Sequence, residues 1–127
     1  MKLNPINADS APKPVGPYSQ ALEVSEARRF LYISGQVPES VTGDDPIDFE
    51  SQAKLVWRNV IAQLEAADMS IENLVKVTTY LASREHKKAN REIRESILGN
   101  HLPALTVVVA GIFEERWLIE IEAIAAA

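Results

Sequence analysis

Apolar positions recur along the chain at two different spacings, and the change from one to the other marks its elements. Between Tyr18 and Val37, in YSQALEVSEARRFLYISGQV, two short strand-like pieces, Gln20 to Val24 and Phe30 to Ser34, flank a polar stretch suited to a hairpin. Gly35 breaks the second piece. The loop PESVTGDDPID carries two prolines and a glycine and closes on Asp48, whose carboxylate can accept from the free N–H groups of a helix starting at Phe49. In FESQAKLVWRNVIAQLEAAD the residues Ala53, Val56, Val60, Leu64 and Ala67 recur at three and four positions, which predicts one buried helical face.

Further on, Ser70 can cap a short turn before VKVTTYL, where Val75, Val77, Thr79 and Leu81 alternate with Lys76, Thr78 and Tyr80 as in a strand. From about Glu85 to Leu98, Ala89, Ile93 and Ile97 form one stripe with charge elsewhere, and Gly99 can supply a left-handed stop. The stretch HLPALTVVVAG, residues 101 to 111, then runs nearly unbroken in apolar residues and reads as a strand buried on both faces. Strands over Thr106 to Ala110 and Leu118 to Ala125 are separated by GIFEER, a hairpin-like distance. The resulting order is ββαβαββ, an α+β arrangement in which two helices cover one face of a sheet. No element is left to cover the other face, so a second copy of the chain is expected to do so.

Size and charge narrow the setting. With 127 residues, 46% hydrophobic and 24% charged, residues 1–127 should form a single soluble globular unit. There is no cysteine, hence no disulfide framework, thiolate metal site or cysteine nucleophile. The polar, proline-rich start MKLNPINADSAPKPVG has no signal-peptide core, and no stretch reaches the ~18 apolar residues of a membrane span. A cytoplasmic protein without membrane contact is the expectation. A formal charge of −5 has the wrong sign for a phosphate backbone, which argues against nucleic acid. His86 and His101 share no i, i+4 spacing, so they read as surface histidines and no metal site is expected. Nucleotide, dinucleotide and G-x-S-x-G hydrolase signatures are absent.

Three stretches remain as candidate chemistry. In LIEIEAIA, Glu120 and Glu122 point to one face of a strand, with Ile119, Ile121 and Ala123 on the other. That pair is either a solvated outer face or, since Leu118 and Ile124 share its side, a carboxylate pair at an interface or cleft rim. A carboxylate of the second kind can hold a water or pass a proton. In VGPYSQA, Gly16 and Pro17 fix a bend that presents Tyr18, whose ring packs while its hydroxyl needs a partner. In ISGQVP, Gly35 at a strand end marks either a plain bulge or a place where another group approaches closely.

Taken in order, GPYSQA, ISGQVP, NLVKVTTYL, the Ala89-Asn90 pair, LPALTVVV and IEIEAIA resemble the reactive intermediate deaminase family, known as RidA or YjgF, from about Ala11 to the C-terminus. The resemblance implies a chorismate-mutase-like α+β fold and a homotrimer with clefts between subunits. Active members of that family hydrolyse enamines and imines without a cofactor of their own. The cleft residues it implies here are Tyr18, Ser34, Gly35, Asn90 and Glu120. In that scheme Glu120 positions water, Gly35 and its neighbours offer backbone groups, and Tyr18 walls the pocket from an adjoining subunit.

One position departs from the family pattern. Where the family reads Pro-Ala-Arg, with the arginine pairing the substrate carboxylate, this chain reads Pro103, Ala104, Leu105, and Val107 stands in place of the family's cysteine. Leucine offers neither charge nor donor, so the carboxylate of an amino-acid-derived imine loses two charge-assisted hydrogen bonds. Neither Arg84 nor Arg116 is placed by the sequence in the cleft, and both read as surface residues. The expectation is a divergent enamine or imine deaminase, or related hydrolase, acting on a less acidic small molecule at the subunit interface, with Leu105 lining the site. Its activity on 2-iminopropionate should be weak or absent. The alternative is a trimer that only binds a small molecule or a protein.

Overall fold

Helix α1 (Phe49–Ala66) begins where Asp48 can cap it: the Asp48 side chain accepts from the Ser51 N–H at 2.9 Å. Its recurrent face goes inward as the spacing predicts, with Ala53, Val56, Val60 and Leu64 inaccessible to solvent. Helix α2 (Lys87–Leu98) follows a short 3-10 turn at Arg84–His86 and ends at Gly99, whose φ of 57° suits a residue without Cβ. The computed structural model describes residues 1–127, and both helices pack on one face of a four-stranded sheet.

That sheet comprises β3 (Phe30–Gln36), β4 (Leu74–Leu81), β5 (Ala104–Val109) and β6 (Ile119–Ala126) in the order β3-β6-β4-β5. Only β4 and β5 run parallel. Its helix-facing residues Val77, Leu81, Ile119, Ile121 and Ala123 join α1 and α2 in one core around Trp57. The opposite face carries Tyr32, Lys76, Thr78, Tyr80, Glu120, Glu122 and Ile124, and neither helix packs on it.

The strands differ from expectation in three respects, two of pairing and one of burial. The pieces near residues 20 and 30 form no hairpin. Instead β2 (Ala21–Ser25) pairs with β1 (Lys2–Ile6) as a separate two-stranded ribbon. Strand β1 is absent from the expected order because Asn4 and Pro5 interrupt its apolar pattern, and an outer strand tolerates such a proline. Strands β5 and β6 form no hairpin either, since β4 lies between them and satisfies both through its two edges. Finally, β5 is not buried on both faces: it is an edge strand of which Leu105 packs on the core, while Thr106 through Val109 are exposed and Val107 and Val109 line an open pocket beside α2.

Candidate functional site

Glu120 owes its position to two neighbours. At its entry, β6 is held by Gln52, a buried residue whose Oε1 accepts from the Leu118 N–H at 2.8 Å while its Nε2 donates to the Arg116 carbonyl at 2.9 Å. The Glu120 side chain then reaches back to Gly35, which lies in the irregularity of β3 between Ile33 and Gln36. A Cβ on Gly35 would clash with Glu120 Oε2 and stand 2.7 Å from its Cδ, so the missing Cβ, not the backbone conformation, is what lets the Glu120 side chain lie this close. The group that approaches Gly35 is therefore the carboxylate of Glu120 itself.

Beside it, Tyr80 donates to Glu122 Oε1 at 2.6 Å. That bond, then burial, then the charges of Glu122 and Glu120, hold the Tyr80 phenol above its ordinary pKa. Glu122 is thus engaged, and Glu120 lines an open hollow of about 440 Å3 with Gly111, Ile112 and Phe113. Ser34 faces a second hollow of about 420 Å3 on the same sheet face, with Tyr32, Lys76 and Thr78.

The remaining site residues lie elsewhere. Ser19 bridges to the start of β5: its N–H donates to the Pro103 carbonyl at 3.1 Å and its hydroxyl to the Leu102 carbonyl at 2.7 Å. This sets residues 15–18 along the sheet edge, where the Tyr18 hydroxyl accepts from the Val15 N–H at 3.3 Å. Val15, Gly16, Leu81, Val107 and Val109 wall a pocket of about 410 Å3 against α2, and Asn90, only 3% exposed, lines it. Leu105 is paired with Val77 in register and packs against the core on the helix side. Within one chain, then, Glu120 with Gly35 and Ser34 occupies the open face, while Asn90 and Leu105 belong to the helix side. Leu105 and Glu120 do not share a cavity in the single chain.

Two expectations about side chains are corrected. The histidines are not surface groups: both are half-buried, His86 stacking on Phe49 with ring centroids 4.3 Å apart and His101 Nε2 lying 2.6 Å from the Leu74 carbonyl. More consequential, cations do stand near the strand that carries Leu105. Arg84, Lys87, Arg91 and Arg94 all line the pocket beside Asn90, whereas Arg116 is exposed and faces Asp45 at 3.4 Å. Lys87, Asn90, Arg91 and Arg94 are spaced i, i+3, i+4 and i+7, one face of α2. The signal was present in the sequence, but a charged helical stripe has the same spacing whether it meets solvent or a pocket.

The comparisons agree with the fold. The family model described as endoribonuclease L-PSP matches residues 8–127. A RutC family protein of Pyrococcus horikoshii is 39% identical over 126 residues, covering 94% of each chain. Among solved structures, YyfB of Yersinia pestis, a protein of unknown function from the conserved Rid protein family, superposes with a TM-score of 0.84 at 27% identity over 100% of both chains. E. coli TdcF with bound serine superposes with a TM-score of 0.73 at 28% identity over 98% of each.

Proposed function

Because the chain belongs to the Rid family, which includes the RutC and endoribonuclease L-PSP relatives it matches along nearly its whole length, we propose that it assembles as a cytoplasmic homotrimer and hydrolyses the C–N bond of a small enamine or imine in clefts between copies. The observation that carries this reading is the split site. Glu120, seated on Gly35, faces outward on the uncovered side of the sheet, while Tyr18 and Asn90 stand beside β5, whose edge and apolar residues are also uncovered. Joining one half from each of two copies would cover both. The serine held by E. coli TdcF supports a ligand of amino-acid size.

In this scheme the Glu120 carboxylate accepts a hydrogen bond from water and aims its oxygen at the imine carbon. The new C–O bond forms as the C=N electron pair moves to nitrogen; Glu120 takes the proton that water loses and returns it to that nitrogen. The carbinolamine hydroxyl then gives up its proton, which Glu120 passes to the amino group as the C–N bond breaks, releasing ammonia and leaving a carbonyl. No cofactor enters these steps.

The test is hydrolysis of freshly generated 2-iminopropionate and of a neutral imine by wild type, Glu120→Gln and Leu105→Arg. Wild type should be slow on 2-iminopropionate, Leu105→Arg at least tenfold faster, and Glu120→Gln nearly inactive on both substrates. A wild-type rate matching an arginine-containing relative would overturn the reasoning from Leu105. Inertness of all three variants toward both imines would favour a trimer that binds without catalysis.

A further inference from the structure

Arg94 is the one buried cation of the chain that lacks a partner. It is 6% exposed, its Nε makes no hydrogen bond, and none of the chain's seven ion pairs includes it. Trp57 Nε1 and Trp117 Nε1 are also buried without a partner, but only Arg94 lines the pocket between α2 and β5. Arg94 Nε is buried while the unpaired terminal nitrogens reach the pocket, so the end of the fork that matches an anion faces the cavity with no counter-ion from the chain. Burial pushes Arg94 below the ordinary arginine value, with Glu95 opposing that shift and Arg91 adding to it.

The surroundings fit an anion. Arg84, Lys87 and Arg91 share the pocket, and no acidic residue lines it, although the chain as a whole carries −5. Arg91 is already engaged, its Nε donating to Glu95 at 2.8 Å, which leaves Arg94 as the buried unpaired cation. The remaining walls are aliphatic, from Val15, Leu81, Val107 and Val109. We propose that Arg94 is an anion receptor and that this pocket takes a small carboxylate with an aliphatic body. A planar fork matches a carboxylate with two parallel hydrogen bonds, and the apolar walls suit a hydrocarbon portion that inorganic phosphate lacks. Arg94 lines a different cavity from Glu120, so an acid held there is bound from α2 and is not thereby placed against Glu120. This inference rests on the reading of the cleft as a small-molecule site and is independent of whether hydrolysis follows.

Calorimetric titration of the assembled protein with 3-methylbutanoate, 3-methylbutanamide and inorganic phosphate tests it. The acid should bind saturably, with the amide and phosphate each at least tenfold weaker. Arg94→Met should weaken the acid at least tenfold without lowering the melting temperature, since it keeps an apolar stem in the buried position and removes a charge with no partner in the chain. Arg94→Lys should keep part of the affinity, and Arg94→Gln repeats the test should the Met variant fail to fold. Equal binding of acid and amide, or phosphate binding as tightly as the acid, would overturn the proposal. So would a lower melting temperature or a dissociated assembly for Arg94→Met, which would mean that Arg94 pairs with an acidic group of another copy. Carboxylate binding without imine hydrolysis would remove the hydrolase reading and leave this one; hydrolysis of a neutral imine without carboxylate binding would do the reverse.

Discussion

Ile121 and Glu120 are consecutive residues of one strand with opposite fates. Ile121 is inaccessible to solvent beneath α1, in a face closed by the chain's own helices. Glu120 turns to the other face, where Tyr32 is 75% exposed and the polar groups satisfy one another, as Tyr80 does with Glu122. The closed face holds the fold together, and its residues are interchangeable with others of the same size and polarity. The open face carries polar groups that such packing does not require. A half-finished surface is where partner and ligand contacts have room to form.

Truncating each face in turn measures that difference. Ile121→Ala should destabilise the protein by about 2–5 kcal/mol in denaturant unfolding, through lost transfer energy and the cavity left behind. Ile124→Ala on the open face should cost much less in dilute solution, with the penalty growing as protein concentration rises if another copy covers that face. Equal costs at every concentration would break the comparison. Sedimentation equilibrium sharpens it: a monomer at micromolar concentration would remove the trimer.

The next effect is confined to the open face. Gly35→Ala would drive a methyl group into the Glu120 carboxylate, and the flexible end of that side chain would swing aside while the fold persists. If Glu120 aims a water, a displacement of about 1 Å should lower imine hydrolysis on the order of a hundredfold with little change in melting temperature. An unchanged rate would separate Gly35 from the chemistry. Glu120→Gln in the same assay should cost at least as much.

The legibility of these features followed their range along the chain. The face of α1, its cap at Asp48 and the stop at Gly99 depend on residues within four positions of one another, and the spacing displayed them. Strand partners depend on contacts across tens of residues. The runs on either side of GIFEER look like a hairpin until β4, from the middle of the chain, is seen to separate them. Glu120 was legible as half of an alternating pair and through the family resemblance. Gln52 was not, because one glutamine in a helical pattern does not announce that it spans α1 and the entry to β6. The Arg94 stripe was missed for the same reason: spacing gave a charged helical face, and only the packing of β5 beside it makes a pocket.

The smallest expected effect tests the part of the closed face that is most local. Asp48 accepts from Ser51 at the start of α1, and the hydrogen bonds from the Ser51 backbone and side chain hold its carboxyl below the ordinary value of 3.8. A carboxyl whose folded pKa is depressed binds its proton less readily when folded than when unfolded. The stability it contributes is therefore present above the unfolded value and lost as pH falls through the folded one. Asp48→Ala should melt at a lower temperature than wild type at neutral pH, and the gap should narrow below pH 3.8. Asp48→Asn, which keeps a capping oxygen without charge, should lie between them at neutral pH and show a weaker pH dependence. A gap that stays constant from neutral pH to well below that value would mean that the Asp48 charge takes no part in holding the first turn of α1.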